Sequence, residues 1–264
     1  MSNIVFYFSG TGNCLKAAKD ISKELTDCEI VSMGKSFDIS RQYERIGFIY
    51  PTYFWGLPRR VIEFIKNINF DNNKNAYFFG IATYGGEAGN AIYQLYELLK
   101  KEHGIKLSYG QKLKMFSNYV VMYDMSTKVN EIIQKANKAF IPIVNAIKNK
   151  TNKRIIGITK IFEFVNRDFI KNVSEMDKNF NINNYCSGCA ICENICPVKN
   201  IEINNNKPQY KHHCENCIAC LQYCPNKAIN YKNATQQKRR YTNPEINYLE
   251  LAKYNGYNNE STNN

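Results

Sequence analysis

Eight of the ten cysteines lie between residues 186 and 224, and their spacing restricts what this stretch can become. Cys186-x-x-Cys189-x-x-Cys192-x-x-x-Cys196-Pro197 is followed by Cys214-x-x-Cys217-x-x-Cys220-x-x-x-Cys224-Pro225. Structural zinc sites pair two C-x-x-C units across a longer spacer and need no run of four thiols made twice. A disulfide scaffold needs an oxidising compartment. The start, Met1 to Gly10, has neither a basic n-region nor a small-residue cleavage site, and no apolar run approaches the roughly 18 residues of a membrane span. A soluble, cytoplasmic chain is expected.

The doubled run resembles bacterial two-cluster ferredoxins, and the resemblance implies two [4Fe–4S] clusters. In that pattern three thiolates take three iron corners of one cube, and the fourth cysteine reaches the other cube. Cluster I is then expected on Cys186, Cys189, Cys192 and Cys224, and cluster II on Cys214, Cys217, Cys220 and Cys196. Gly188, Ala190 and Ala219 are small enough for backbone N–H groups to approach the sulfurs. Ile191, Ile195, Ile201, Ile218, Leu221 and Ile229 are expected to screen the clusters from water. His212 and His213 are expected to face solvent, because eight thiolates already complete two clusters.

Upstream, strands and helices alternate. Asn3–Phe8, Glu29–Met33, Arg45–Tyr50, Ala76–Thr83 and Lys114–Met122 read as strands. Asn13–Leu25, Arg59–Asn67, Ala88–His103 and Lys128–Lys148 carry helical periodicity. That alternation predicts an α/β fold with a doubly wound parallel sheet. Residues 151–182 read as a connector of one or two amphipathic helices without a motif. The cysteine-rich unit spans 183–231, and 232–264 is a polar tail with a disordered end, in which Pro244–Tyr254 could dock as a helix.

Three loops follow strands in the first part: Ser9-Gly10-Thr11-Gly12-Asn13-Cys14, then Pro51-Thr52-Tyr53-Phe54-Trp55-Gly56, then Thr83-Tyr84-Gly85-Gly86. Open α/β sheets bind ligands at the carboxyl ends of their strands. The first loop lacks the Gly-Lys-Ser/Thr of a Walker loop. It also lacks a dinucleotide fingerprint, because Leu15 stands at the third glycine position. The loops are similar to those of flavodoxins. That resemblance implies a five-stranded sheet in the order 2-1-3-4-5 and FMN bound over residues 1–150. The phosphate would rest on the first loop and the helix start, and the ring would lie among Tyr53, Trp55 and Tyr84. Flavodoxins usually carry Ser or Thr where Cys14 stands, so a weaker phosphate contact is expected there. Arg59-Arg60 after the second loop predicts a flavin that is easier to reduce than in acidic flavodoxins.

Together, the two parts resemble EFR1-type flavodoxin–ferredoxin fusion proteins, over roughly Asn3 to Tyr231. The resemblance implies FMN, two clusters and electron transfer with redox proteins such as a ferredoxin, a flavoprotein or an iron–sulfur enzyme, in an anaerobe. No acid–base or nucleophilic constellation stands out, so an electron carrier is the first expectation. The alternative is an FMN-dependent oxidoreductase reducing a quinone or nitro compound. The net charge of +12 is spread thinly, so neither nucleic acid nor membrane is an expected partner. The oligomeric state is open: the connector lets the two parts face each other or a partner in a homodimer.

Overall fold

The computed structural model describes residues 2–158 and 160–257. Five strands, β1 (Asn3–Tyr7), β2 (Cys28–Ser32), β3 (Arg45–Pro51), β4 (Tyr77–Tyr84) and β5 (Tyr109–Lys114), form one sheet. Their order is 2-1-3-4-5, and every pairing is parallel. The intervening helices are α1 (Asn13–Glu24), α2 (Arg59–Asn67), α3 (Ala91–His103) and α4 (Val129–Lys148).

Period-two alternation explains the layering. Val5, Tyr7, Ile49, Phe79 and Ile81 face α1 and α4, against Leu15, Ala18, Phe140 and Ile143. Ile4, Phe6, Phe48, Tyr50 and Phe78 face α2 and α3, against Val61, Phe64, Leu95 and Leu99. A parallel sheet buried on both faces reads as nearly continuous apolar strands, which is what β1, β3 and β4 show.

The fifth strand differs from the expectation. It is Tyr109–Lys114, and residues 115–122 form a loop. Gln111 and Lys112 are only half-buried, because β5 lies at the sheet edge and needs less apolar surface. The apolar run that follows is buried for another reason. Phe116 stacks on Tyr241 of the tail at 4.2 Å, and Val120 packs with Cys192, Cys196 and Leu221.

The connector holds one α-helix, α5 (Lys160–Asn172), followed by a 3₁₀ segment, Val173–Asn179. A small α+β unit follows. It contains β6 (Phe180–Ile182), α6 (Ile191–Asn194), β7 (Ile201–Asn204), β8 (Lys207–Tyr210), α7 (Ala219–Gln222) and β9 (Ile229–Tyr231). Strand β6 pairs with β9, and β7 with β8, both antiparallel.

The tail docks through α8 (Tyr248–Asn255), somewhat later than the expected Pro244–Tyr254. Buried Asn255 accepts from Tyr7 Oη and Ser32 Oγ, both at 3.1 Å, and donates to Ile195 O at 3.0 Å. One amide thus ties the sheet, the tail and the first cysteine run together. The expected disorder at the chain end lies outside the described residues. Among the described residues, no helix is long and apolar enough to cross a membrane.

Candidate functional site

The loops after β1, β3 and β4 meet at the carboxyl edge of the sheet around a cavity of about 310 Å³. Ser9, Gly10, Thr11, Asn13, Cys14, Pro51, Thr52, Tyr53, Phe54, Trp55, Thr83, Tyr84, Gly85 and Gly86 all line it. Two expected residues do not. Gly12 sits behind the loop at φ 92, against Ile246 and Asn243 of the tail. Gly56 packs against Asn166 and Gln94 instead.

The first loop is shaped by its own side chains. Gly12 N–H donates to Ser9 Oγ at 3.1 Å, and Asn118 Nδ2 donates to Thr11 Oγ1 at 2.6 Å. The tail closes over it. Tyr241 Oη and Asn243 Nδ2 donate to Asn13 Oδ1 at 2.8 and 3.0 Å. The first N–H groups of α1 have no intrahelical partners and provide a seat for an anion. Burial pushes the Cys14 thiol up to about 12, against a 3.2 Å hydrogen bond with Thr83 Oγ1. It stays a neutral thiol.

The second loop is strained. Phe54 and Trp55 have φ of 44° and 66° inside a tight turn closed by reciprocal Tyr53–Gly56 backbone bonds at 3.0 Å. Bulky residues avoid this region unless the surroundings impose it. Here the connector imposes it. Phe54 stacks on Phe169 at 4.4 Å, Trp55 leans on Phe162, and buried Asn166 donates to Tyr53 O and Leu57 O. The connector therefore belongs to the site, which its lack of a motif concealed. Thr52 Oγ1, on the same wall, is buried without a hydrogen-bond partner.

The loop after β5, expected as a strand, supplies Met115, Phe116, Ser117, Asn118, Tyr119, Met122 and Tyr123. The remaining wall was not foreseen: Asn216, Cys217 and Ile218, from the second cysteine run. A Cβ on Gly10 would lie 2.3 Å from Cys217 O, so the two backbones touch.

Arg59 and Arg60 do not line the cavity. Arg59 Nε donates to buried Glu215 Oε1 at 2.8 Å, and Arg60 N–H donates to Glu215 Oε2 at 3.1 Å. The Arg59 charge is directed at the second cysteine run and compensated there, whereas Arg60 Nε donates to Met33 O at 2.7 Å and its guanidinium lies 3.7 Å from Glu63. The cavity's one charged residue among those described is Glu87, an exposed carboxylate. The expectation of an arginine-favoured flavin therefore loses its basis.

The two cysteine runs are built alike. Gly188 and Asn216 sit at corresponding left-handed positions, as do Ala190 and Ile218. The N–H groups of Asn200 and Ala228 donate to Cys196 Sγ and Cys224 Sγ, each at 3.2 Å. All ten cysteines are free. Cys186, Cys189, Cys192 and Cys224 line one small cavity. Burial pushes the Cys192 thiol up to about 12, and Cys189, Cys224 and Cys186 stand near it. Burial likewise raises Cys217 and Cys220, whose neighbours include Cys196 and Cys214. The fourth cysteine of each run thus stands with the other run's first three. Among the described residues, no three His, Cys, Asp or Glu side chains converge on a single metal-ion position.

Ile201, Ile218, Leu221 and Ile229 pack around these sulfurs. Ile195 packs instead into the sheet's core, beside α8. His212 is exposed but bonded to buried Asp177 Oδ1 at 2.8 Å, and His213 Nε2 lies 3.0 Å from Val198 O. Both shape the loop before Cys214.

A 2-1-3-4-5 sheet with its cavity on three loops at the carboxyl edge defines a flavodoxin-like protein. The family model described as Flavodoxin domain matches residues 4–138, just over half of the chain, and the chain belongs to that family. Among solved structures, a Bacteroides uniformis protein classed provisionally as a flavoprotein is 19% identical. The match covers 43% of this chain and 90% of that one, with a TM-score of 0.36. Rubredoxin oxygen:oxidoreductase from Desulfovibrio gigas is 16% identical, covering 56% of this chain and 36% of that one, with a TM-score of 0.37. A second provisional flavoprotein, from Bacteroides eggerthii, is 17% identical, covering 55% and 98%, with a TM-score of 0.34. Comparison with curated proteins gives no match.

Proposed function

We propose that the chain is an electron-transfer flavoprotein that holds FMN in the cavity and a [4Fe–4S] cluster on each cysteine quartet. Electrons pass between cluster II and FMN inside one chain. The observation that carries this reading is the shared wall: Cys217 lines the same cavity as the three flavodoxin loops.

The residues present fit both groups. Free amides at the start of α1 suit a phosphate, and the aromatic second loop suits a flat ring. Thr52 and Asn216 bring polar residues to the same wall. The quartets bury several thiols, and bound iron would reverse the penalty that burial sets on a thiolate. A cube gives each thiolate its own iron corner, so four sulfurs need not meet at one point. When bound, FMN exchanges one or two electrons and each cluster exchanges one.

The chain's own part is to place these groups. Cys214 and Cys220 are buried and Cys217 lines the cavity, whereas Cys189 is exposed. Cluster I is therefore the port for a protein partner that gives or takes single electrons. Among the described lining residues there is no histidine, and the one carboxylate is exposed, so acid–base work on an organic substrate finds little support.

Protein prepared without oxygen should carry about eight irons and as many acid-labile sulfides per chain, with one FMN. Colourless protein containing zinc would overturn the cluster assignment. Iron–sulfur protein that takes up no FMN would overturn the flavin assignment.

A further inference from the structure

We propose that Tyr241 and Asn243, in the C-terminal tail, are positioning residues for the phosphate of the cofactor. Together they hold the Asn13 amide so that its NH₂ end is free, at the start of α1, to donate to that phosphate. The inference rests on the FMN reading above. It brings into the site a segment that lies outside both the flavodoxin domain and the cysteine-rich unit.

Asn13 is the first residue of α1, is 6% exposed and belongs to the cavity lining. Its Oδ1 accepts from Tyr241 Oη at 2.8 Å and from Asn243 Nδ2 at 3.0 Å. The two ends of an amide have nearly the same shape, so its partners decide which way it points. Asn243 Oδ1 accepts from the Glu245 N–H at 3.0 Å, and a backbone N–H can only donate. The end of Asn243 that meets Asn13 is therefore its NH₂, and the end of Asn13 that receives it is the oxygen. Asn13 Nδ2 is left with no partner among the described residues and keeps accessible surface.

The tail residues are themselves fixed. The Tyr241 ring stacks on Phe116, its N–H donates to Gln222 Oε1 at 2.7 Å, and the Asn243 N–H donates to Thr11 O at 2.8 Å.

The loop's other side-chain oxygens are also taken, Ser9 Oγ by the Gly12 N–H and Thr11 Oγ1 by Asn118 Nδ2. What these side chains still offer is donors: two hydroxyl protons and the Asn13 NH₂. The one charged residue among the described lining is the exposed carboxylate of Glu87. With no cation in the lining, an anion here depends on the helix end and on neutral donors. Turning the Asn13 amide round would set a carbonyl oxygen against the phosphate in place of a donor.

The test uses the full chain, loaded with clusters, with iron and sulfide content as the control for intact clusters. Dissociation constants of oxidised FMN and of riboflavin, which lacks the phosphate, are measured by equilibrium dialysis. In Tyr241→Phe/Asn243→Ala, FMN binding should weaken by about tenfold, the lower end for a hydrogen bond to a charged group, and riboflavin binding should stay within about twofold. Unchanged FMN affinity, or equal losses for both flavins, would overturn the proposal. Tyr241→Phe alone keeps the stacked ring and stands in should the double variant fail to fold. It should weaken FMN binding by about threefold and leave riboflavin binding unchanged. A second measurement needs FMN only. In an Asn13→Ala background the two tail substitutions should cost nothing further, because they act through the missing amide. A further loss as large as in the Asn13 protein would contradict the assignment. If the unsubstituted protein binds no FMN at all, the functional reading has failed instead.

Discussion

Gly10 and Cys217 touch through their backbones: a Cβ at residue 10 would lie 2.3 Å from the Cys217 carbonyl oxygen. One residue belongs to the loop after β1 and the other to the second cysteine run. Their closeness leaves no space for even a methyl group between the first loop and the second cysteine run. The carbonyl is backbone and cannot swing aside, so Gly10→Ala must separate the two. The expected cost is on the order of 2 kcal/mol in stability, together with weaker FMN uptake. Thermal unfolding and flavin titration of the variant measure both.

The quartets predict which cluster each crossing cysteine supports. Cys196 stands with Cys214 and Cys217, and Cys224 with Cys192. Cys196→Ala should lose cluster II and keep cluster I, with iron content falling to about half. Cys224→Ala should do the reverse. Retention of cluster II in Cys196→Ala, with loss of cluster I, would contradict the cross-ligation.

Asn255 gives a prediction for the tail. Asn255→Ala leaves Tyr7 Oη, Ser32 Oγ and Ile195 O without their partner in a buried place. The cost should be about 3 kcal/mol, and the first cysteine run should part more readily from the sheet. Hydrogen exchange of the α1 and α6 amides reads the change. Unchanged protection would show that the tail merely rests on the surface.

Cys14 sets an alkaline limit. Its thiol pKa, about 9 when unfolded, is raised to about 12 by burial in the folded chain. Between these values the folded state holds the proton and the unfolded state releases it, so stability falls as pH rises from about 9 to 12. Cys14→Ser removes this proton and should flatten the fall in melting temperature between pH 8 and pH 10.5. In the unsubstituted protein, Cys14 should resist alkylation at pH 8 until the chain unfolds.

Much of the fold was legible because buried parallel strands and amphipathic helices have different apolar periods. The last strand was not. Gln111 and Lys112 make β5 look like a loop, and the run from Met115 to Met122 looks like a strand while serving as cavity wall and inter-unit packing. The three flavin loops were readable from glycine and aromatic content after each strand. Phe169 and Asn166 were not, because a helix that supports a loop through one ring and one amide carries no spacing signal.

The central claim is that cluster II and FMN share a wall at Cys217. The most direct measurement is the electron paramagnetic resonance of partly reduced protein. The account predicts that the flavin radical is broadened and relaxes fast through coupling to reduced cluster II. That effect should vanish in Cys220→Ala and persist in Cys192→Ala, which removes cluster I. An isolated, slowly relaxing flavin radical in the unsubstituted protein with both clusters present, or coupling that survives Cys220→Ala, would contradict it.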